Sequence, residues 1–152
     1  MRAVVQRVRA AQVSVEGSVV GQIDAGLLVF IGVQEGDTEA AGDWLAKKIA
    51  GLRVFDDVEG RMNLSLLDIP EASALVISQF TLFGTTRKGY RPSFNRAAEP
   101  EQAKALYLRF AQTLEALLER PVPTGRFGEY MRIDAQNDGP VTLWFDTNNK
   151  DL

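Results

Sequence analysis

The sequence predicts a single compact α/β domain over residues 1–152, built of largely antiparallel β-sheet with two main helices. Short β-prone runs separated by turn residues open the chain, and a continuous apolar run bounded by glycines follows them. Two later segments carry apolar side chains at helical spacing. No linker, repeat or low-complexity tract divides the chain, so we expect one core.

The strands of the first third are predicted at residues 3–8, around Val13 and Val15, and at residues 18–23. A turn at Glu16-Gly17 separates the last two, which indicates an antiparallel meander. The run GLLVFIGV, residues 26–33, has no polar position, as expected of a strand covered on both faces. We therefore place it at the centre of the sheet.

The later strands are predicted at residues 74–77, in SALVISQF, and at VTLWFD, residues 141–146. The second of these follows Pro140. A proline is ordinary as the first residue of a strand, so the strand is expected to begin there.

The first helix is expected to begin near Asp37, an N-cap candidate, with Glu39 in its first turn. Its apolar stripe is Ala41, Trp44, Leu45, Ile49 and Leu52, with Trp44 in the core. The second helix is expected to follow Pro100 and to end before Pro121. Its stripe also indicates packing rather than a cofactor site; the residues are Ala103, Leu106, Tyr107, Phe110, Leu114, Leu117 and Leu118.

The composition restricts the location and the chemistry. The chain has no cysteine, which suits a reducing compartment, and the cytosol is the default expectation. No apolar run approaches the roughly 20 residues of a membrane-spanning helix, and MRAVVQRVRA has charges where a secretory leader would be apolar. We therefore expect a cytoplasmic protein without a membrane partner.

Histidine is absent as well. This excludes Ser-His-Asp and Cys-His catalysis and the common imidazole metal sites, so an enzyme here must use carboxylates, hydroxyls, lysines, backbone amides or groups of its substrate. The net charge is -3, from 17 Lys and Arg against 20 Asp and Glu. No global basic field attracts nucleic acid, and any RNA contact must be local.

One segment could supply such a contact. TTRKGYRPSFNRAA, residues 85–98, contains four cations and no acid, with Tyr90 and Phe94 between them. Contact with phosphates plus base stacking is one interpretation. A solvated loop whose cations pair with acids elsewhere is the other, and composition alone favours it.

Polar residues also stand at the end of a buried strand, in SQFT, Ser78 to Thr81. Rigid neighbours could hold two hydroxyls and an amide there for chemistry. The alternative is that these side chains bond only to the local backbone, which spacing alone favours.

Five segments resemble those of the D-aminoacyl-tRNA deacylases, also called D-tyrosyl-tRNA deacylases. They are MRAVVQRVRAAQVSVEG, GLRVFDDVEGRMNLSL, SQFTLFG, KGYRPSF and NDGPVT, which occur in the family's order over nearly the whole chain. SQFTL and NDGPVT together are highly specific. The resemblance implies a homodimer with two active sites at the subunit interface, and hydrolysis of the ester that joins a D-amino acid to the terminal adenosine of tRNA.

The resemblance also gives NDGPVT, which begins at Asn137, a place in the substrate site. It implies that the Gly139–Pro140 bond is cis and that the pair reaches into the partner's site, with both carbonyl oxygens facing the substrate. These acceptors would hold the α-ammonium of a D-residue, whereas an L-residue would place its side chain against them. Glycine has no side chain to exclude, so glycyl-tRNA is expected to be hydrolysed too.

Catalysis without histidine then has two open routes. In one, the Thr81 hydroxyl attacks and forms an acyl-enzyme; in the other, the ribose 2′-hydroxyl assists a water. We favour the second because the sequence shows no general base beside Thr81. A backbone amide near Phe80 would stabilise the oxyanion, and Ser78 and Gln79 would orient the ribose and ester.

The segment GRFGEYM is similar to the one that holds the terminal adenine in this family. The resemblance implies that Phe127 is a stacking face and Met131 a pocket wall, although both could be core residues. Glu129 stands where the family usually has a small alanine. No cofactor and no metal site is implied.

Two other functions stay open. The chain could be a dimeric RNA-binding module without turnover, or a relative with a trans Gly-Pro bond that corrects L-alanine mischarged on tRNA. Intact SQFTL and NDGPVT favour the D-specific hydrolase.

Overall fold

The computed structural model describes residues 1–150. Its strands and helices are, in chain order, β1 Arg2–Val15, β2 Ser18–Ile23, β3 Gly26–Gly32, α1 Glu39–Ala50, β4 Phe55–Asp56, β5 Met62–Leu64, β6 Ser73–Ser78, α2 Pro100–Leu118 and β7 Arg132–Asp146. Short 3₁₀ turns lie at Leu66–Asp68 and Phe80–Phe83. All sheet pairings except that of β3 with β6 are antiparallel, which confirms the predicted α/β class with two main helices.

Strand β1 organises the sheet. It pairs with β2 and β3 along one side and with β7 along the other. The prediction of two separate strands within residues 3–15 is wrong, because β7 runs beside β1 and keeps it extended through the exposed Arg9. The predicted hairpin turn is confirmed: Glu16 and Gly17 have φ angles of +50° and +81°, as a two-residue primed turn requires.

Strand β3 lies between β1 and β6, at the centre of the sheet as predicted. Leu27, Val29 and Ile31 enter the larger core, which both helices cover. Leu28 enters a smaller core on the other side, with Leu75 and Ile77 of β6 among its members. Cover on both faces explains the continuous apolar run.

Helix α1 begins one residue later than predicted. Thr38, not Asp37, is the N-cap, and its hydroxyl accepts a hydrogen bond from the Ala41 amide. The Asp37 carboxylate accepts instead from the Gln34 amide, at 2.8 Å, and from the α-ammonium of Met1, at 2.6 Å. Trp44 packs on the core but is only partly buried, which corrects its predicted position inside.

Helix α2 begins at Pro100 and ends before Pro121, as predicted. Leu106, Phe110 and Leu114 are buried in the same core as Leu45 and Ile49 of α1. Both helices therefore pack on one face of the sheet. None of the helices in residues 1–150 has the length and apolarity needed to cross a membrane.

Strand β7 is longer than predicted. It begins at Arg132, so Pro140 lies inside the strand instead of opening it. The pairing with β1 is interrupted there: Asn137 pairs with Val8 and Thr142 with Gln6, and the residues between them have no partner. A proline fits this position because β7 is an edge strand and the interruption needs no ladder hydrogen bond.

Candidate active site

A cavity of about 460 Å³ opens where β3 and β6 end. The SQF sequence and Phe127 lie in its wall together with residues of α2 and of the segment before it. The lining residues are Ile31, Val33, Ser78, Gln79, Phe80, Phe94, Ala97, Ala98, Glu99, Pro100, Ala103, Tyr107, Phe127 and Gly128. Folding therefore brings Ser78, Gln79 and Phe80 to one concave surface with the predicted stacking residue Phe127.

The strand and the 3₁₀ turn hold the SQFT residues in different ways. Ser78 is the last residue of β6 and pairs with Ile31, and the Gln79 amide donates to the Ile31 carbonyl at 2.7 Å. Phe80 begins the 3₁₀ turn and is 57% exposed. The turn packs closely on the end of β3, since a Cβ on Gly32 would come within 2.9 Å of the Gln79 carbonyl oxygen. Any larger residue than glycine at position 32 would displace it.

The backbone amides of Phe80 and Thr81 donate to no acceptor within residues 1–150, as is usual at the start of a helical turn. They are available to an oxyanion. The Thr81 hydroxyl accepts a hydrogen bond from the Gln79 side-chain amide, at 2.6 Å between Nε2 and Oγ1. No carboxylate or amine in residues 1–150 is hydrogen-bonded to Thr81. An amide donor does not remove a proton, so this arrangement gives Thr81 no general base.

Two titratable residues line the cavity. Tyr107 is buried, and its hydroxyl donates to the Val76 carbonyl at 3.0 Å. Burial raises the pKa of Tyr107 to about 12, so it is a neutral donor at neutral pH. Glu99 precedes α2 and is exposed at the cavity rim. It makes no hydrogen bond to Thr81 through its side chain within the described chain.

Phe127 packs on the core and also lines the cavity, where its role as a stacking face for adenine stays a prediction. Its ring centroid lies 5.9 Å from that of Tyr107. Met131 does not reach this cavity: it packs on the smaller core, on the other side of the sheet. The predicted place of Met131 in the wall of the adenine pocket is therefore not supported by this cavity. Glu129 also lies outside, in a separate pocket that Glu16 lines as well.

The Gly139–Pro140 pair is exposed on β7 and its peptide bond is cis, as the resemblance implies. Asn137, also exposed, is the last paired residue before the interruption. Gly139 has a φ of +131°, and a Cβ there would come within 2.9 Å of the Val141 amide nitrogen. Alanine at position 139 would therefore strain this backbone by about 1–3 kcal/mol.

A buried guanidinium supports this segment. Arg7 lies opposite the interruption and is 9% exposed. Its Nε donates to the Asp138 carbonyl at 3.1 Å, and its Nη1 donates to the Val54 carbonyl at 2.6 Å. The Asp56 carboxylate, at 3.2 Å, balances its charge. The side chain of Arg7 therefore replaces the missing ladder contacts between β1 and β7.

The cavity and the Gly-Pro pair are far apart within the single chain. Ser78 pairs with Ile31, which pairs with Ala3, whereas the pair lies opposite Arg7. Four residues along β1 and three strand spacings separate them, or about 13 Å by about 14 Å. Over the sheet surface the separation is roughly 20 Å.

The family model for the D-Tyr-tRNA(Tyr) deacylases matches residues 4–146. The chain belongs to the D-Tyr-tRNA(Tyr) deacylase family. Two bacterial relatives named D-aminoacyl-tRNA deacylase support the assignment. The one from Symbiobacterium thermophilum is 54% identical over 147 residues, covering 97% of this chain and 96% of the relative. The one from Thermosipho melanesiensis is 51% identical and covers 97% of each.

Two solved structures share the fold of this deacylase-family chain. The c-Myc DNA Unwinding Element Binding Protein superposes with a TM-score of 0.88 at 38% identity, covering 96% of this chain and 98% of that one. A probable eukaryotic D-amino acid tRNA deacylase superposes with a TM-score of 0.80 at 20% identity, covering 95% and 97%. At that identity the second comparison supports the fold alone.

Sequence reasoning on this deacylase-family chain missed three residues near the site. Arg7 and Arg2 lie in or beside a predicted strand. The alternation of side chains along a strand predicts the face of the sheet on which a residue lies, but not its hydrogen-bond partner. The Arg2 guanidinium donates to the Leu82 carbonyl at 2.9 Å and so supports the 3₁₀ turn. Glu99 had a usable signal, because it precedes Pro100 at the predicted start of α2.

Proposed function

We propose that this protein hydrolyses the ester bond of D-aminoacyl-tRNA and releases the free D-amino acid and tRNA. The observation that carries the proposal is the family match over residues 4–146. The bacterial relatives above are named for this activity at 51–54% identity. The proposed substrate is used in translation, so the proposal implies a cytoplasmic enzyme that acts in quality control.

The cavity has the features that the 3′ end of a charged tRNA would need. The exposed ring of Phe80 and the half-buried ring of Phe127 border it, and Phe127 offers a face to the terminal adenine. Ser78 and Gln79 stand between them and would orient the ribose and the ester. The unbonded amides of Phe80 and Thr81 would stabilise the oxyanion that forms on the ester carbonyl.

For the chemical step we propose attack by water assisted by the ribose 2′-hydroxyl. The support is the hydrogen bond from the Gln79 amide to Thr81, which supplies no base to activate the threonine hydroxyl. The neutral Tyr107 phenol cannot accept a proton at neutral pH. Position and electrostatic stabilisation would then be the protein's main contribution.

We further propose that chirality is selected by Gly139 and Pro140 of a partner subunit. Both residues face solvent in one subunit and lie roughly 20 Å from its own cavity, so a second copy would have to deliver them. Their carbonyl oxygens would hold the α-ammonium of a D-residue and exclude the side chain of an L-residue. Glycine would pass this filter, which makes glycyl-tRNA a second proposed substrate.

The edge strand β7 supports a homodimer. Its outer edge has no pairing strand within residues 1–150, and Leu143 and Trp144 near its end are 39% and 41% exposed. A long edge strand with exposed apolar side chains associates readily unless something covers it. We propose that a second copy of this chain covers it, because the proposed selector lies on the same strand.

The test is release of free amino acid from D-tyrosyl-tRNA, L-tyrosyl-tRNA and glycyl-tRNA by the purified protein. We expect rapid hydrolysis of the D-ester and of the glycyl ester, and an L-ester rate close to that of buffer. Equal rates on the D- and L-esters would refute the selector. Hydrolysis of none of them would refute the proposed reaction itself.

A further inference from the structure

The loop at residues 85–98, called the basic loop here, carries the chain's densest group of cations. Arg87, Lys88, Arg91 and Arg96 fall within it, and it contains no acidic residue. The rest of the chain is acidic enough to give a net charge of -3. The positive charge is therefore local to this loop.

The loop has a fixed base and an exposed tip. Thr85 and Ser93 exchange two backbone hydrogen bonds of 2.9 Å, which close the neck of the loop. Farther along, the Ala98 amide donates to the Val33 carbonyl at 3.0 Å and docks the loop on the end of β3. Residues 86–92, which include Tyr90, are fully on the surface.

The four cations have no acidic partners. Each is exposed, and none of them forms an ion pair within residues 1–150. In contrast, Arg7, Arg61 and Arg109 do pair with carboxylates. The interpretation as a loop neutralised by neighbouring acids therefore does not hold in this subunit. Four like charges kept together cost Coulomb energy, which a polyanion would reverse.

The basic loop also borders the cavity. Phe94, in its second half, meets Phe80 edge to face, with ring centroids 5.0 Å apart. Phe94, Ala97 and Ala98 all line the cavity. A ligand that occupies the cavity would therefore lie beside the second half of the loop.

We propose that the basic loop binds the sugar-phosphate backbone at the acceptor end of the tRNA, with Tyr90 stacking on an unpaired base. This inference rests on the proposed function, because it assumes that the esterified 3′ end occupies the cavity. Unpaired guanidinium and ammonium groups suit phosphates, and an exposed tyrosine ring suits the single-stranded end of an RNA. The loop would bind this part of the substrate and leave the ester chemistry to the cavity.

The test compares two substrates with the same ester: D-tyrosyl-tRNA and D-tyrosyl-adenosine, which lacks every phosphate. The loop variant is Arg87→Gln/Lys88→Gln. The matched control is Lys47→Gln/Lys48→Gln, which removes two adjacent exposed charges from α1. The unaltered protein is measured on both substrates, over a series of salt concentrations for the tRNA.

With D-tyrosyl-tRNA the loop variant should raise KM roughly tenfold at about 0.1 M salt and leave kcat within about twofold. For this variant, the slope of log(kcat/KM) against log(salt concentration) should become less negative by roughly 1.4, because two phosphate contacts are removed. Tyr90→Ala should raise KM by about threefold to tenfold without changing that slope. Kinetics on D-tyrosyl-adenosine should not change in either variant, and the control should match the unaltered protein.

Each contrary outcome has a separate meaning. If the unaltered protein hydrolyses neither substrate, the proposed function fails. If it hydrolyses both and the loop variant has unchanged KM for the tRNA, the inference about the basic loop is overturned and the function stands. An equal loss on both substrates also overturns the inference, because the loop would then shape the cavity instead of binding RNA.

Discussion

The cavity at the end of β6 and the Gly139–Pro140 segment of β7 are held in opposite ways. The cavity is concave, and buried strands, the 3₁₀ turn and α2 form its wall. The Gly-Pro segment is exposed and has no ladder partner; the guanidinium of Arg7 donates to the carbonyl of the preceding Asp138. The first is complete within one subunit. The second is exposed to solvent, away from the cavity, which is why we propose that the site forms between two copies.

The largest effect should come from preventing association of two copies, because this would separate the cavity of one copy from the Gly-Pro pair of the other. Leu143→Lys/Trp144→Lys places charges on the exposed end of β7 in both copies, so like charges should repel across the proposed dimer contact. We expect a monomer by light scattering and a loss of D-tyrosyl-tRNA hydrolysis of about a hundredfold or more.

The matched control for that variant is Val19→Lys/Leu108→Lys, which replaces two similarly exposed apolar residues of β2 and α2. It should stay dimeric and active. If the β7 variant is a fully active monomer, one subunit suffices for hydrolysis. The Gly-Pro pair of a second copy would then not be part of the active site.

A smaller effect is expected from Thr81→Ala, in the 3₁₀ turn beside the cavity. If the ribose 2′-hydroxyl assists water, loss of the Thr81 hydroxyl removes only a hydrogen-bonding group, and the rate should fall about tenfold. Single-turnover rates on D-tyrosyl-tRNA measure this. If activity vanishes, Thr81 is the nucleophile.

A substrate ending in 2′-deoxyadenosine separates these routes independently of any substitution. An acyl-enzyme route should survive loss of the 2′-hydroxyl, whereas assisted attack should not. Full-rate cleavage of the deoxy substrate would contradict the mechanism proposed for the cavity.

The third effect concerns a link between the 3₁₀ turn beside the cavity and the end of β7, the strand that carries the Gly-Pro segment. Arg2 donates to Leu82 in the 3₁₀ turn and to the Asp146 carboxylate of β7, the latter at 2.9 Å. Burial alone would raise the pKa of Asp146, but hydrogen bonds from the Asn148 amide and from Arg2 outweigh it, so the pKa lies below its ordinary value. A lowered pKa stabilises the folded state above the unfolded value of about 3.9.

Asp146→Asn should therefore reduce the free energy of unfolding at pH 7 by about 2 kcal/mol. The difference should shrink as pH falls through the lowered pKa, where the wild-type carboxyl becomes protonated. Urea unfolding at pH 7 and pH 3 measures it. Asp134→Asn, on the exposed part of β7, is the control and should change stability by less than about 0.5 kcal/mol. If Asp146→Asn lowers the free energy of unfolding equally at both pH values, the loss comes from packing and not from the charge of Asp146.

The smallest effect is expected from Glu99→Gln at the cavity rim. The Glu99 side chain is exposed and makes no hydrogen bond to the Thr81 hydroxyl, so the neutral isostere should change kcat by less than about twofold. A pH–rate profile of the variant is the measurement. Loss of an ionisation from that profile, together with a large drop in kcat, would identify Glu99 as a general base.

Regular periodicity made much of the fold predictable. The run at residues 26–33 indicated a central strand, and the stripes after Thr38 and Pro100 indicated two helices on one face. The predicted starts of α1 and β7 were wrong because tertiary contacts outweighed the local sequence preference. Asp37 has a good N-cap side chain but is bonded to Met1 and Gln34, and Pro140 lies within a strand because β7 has a free edge.

The candidate site was predictable in part. Ser78, Gln79 and Phe80 end a buried strand, and their position in a cavity follows from that placement. Met131 could not be assigned to a side of the sheet, because its segment precedes β7 without a readable period. The support that Arg7 gives to Asp138 depends on a pairing across 131 residues, which single-sequence patterns do not encode.

The central claim, that each active site joins the cavity of one subunit to the Gly-Pro pair of the other, is tested most directly with two defined heterodimers. One combines Thr81→Ala with Gly139→Ala in separate subunits; the other combines the unaltered subunit with one that carries both substitutions. The claim predicts that the first heterodimer has one intact site of two and hydrolyses D-tyrosyl-tRNA at about half the unaltered rate. The second should have no intact site and stay near the level of the altered parents. The reverse pattern, with activity only in the second heterodimer, would show that each site is formed within one subunit.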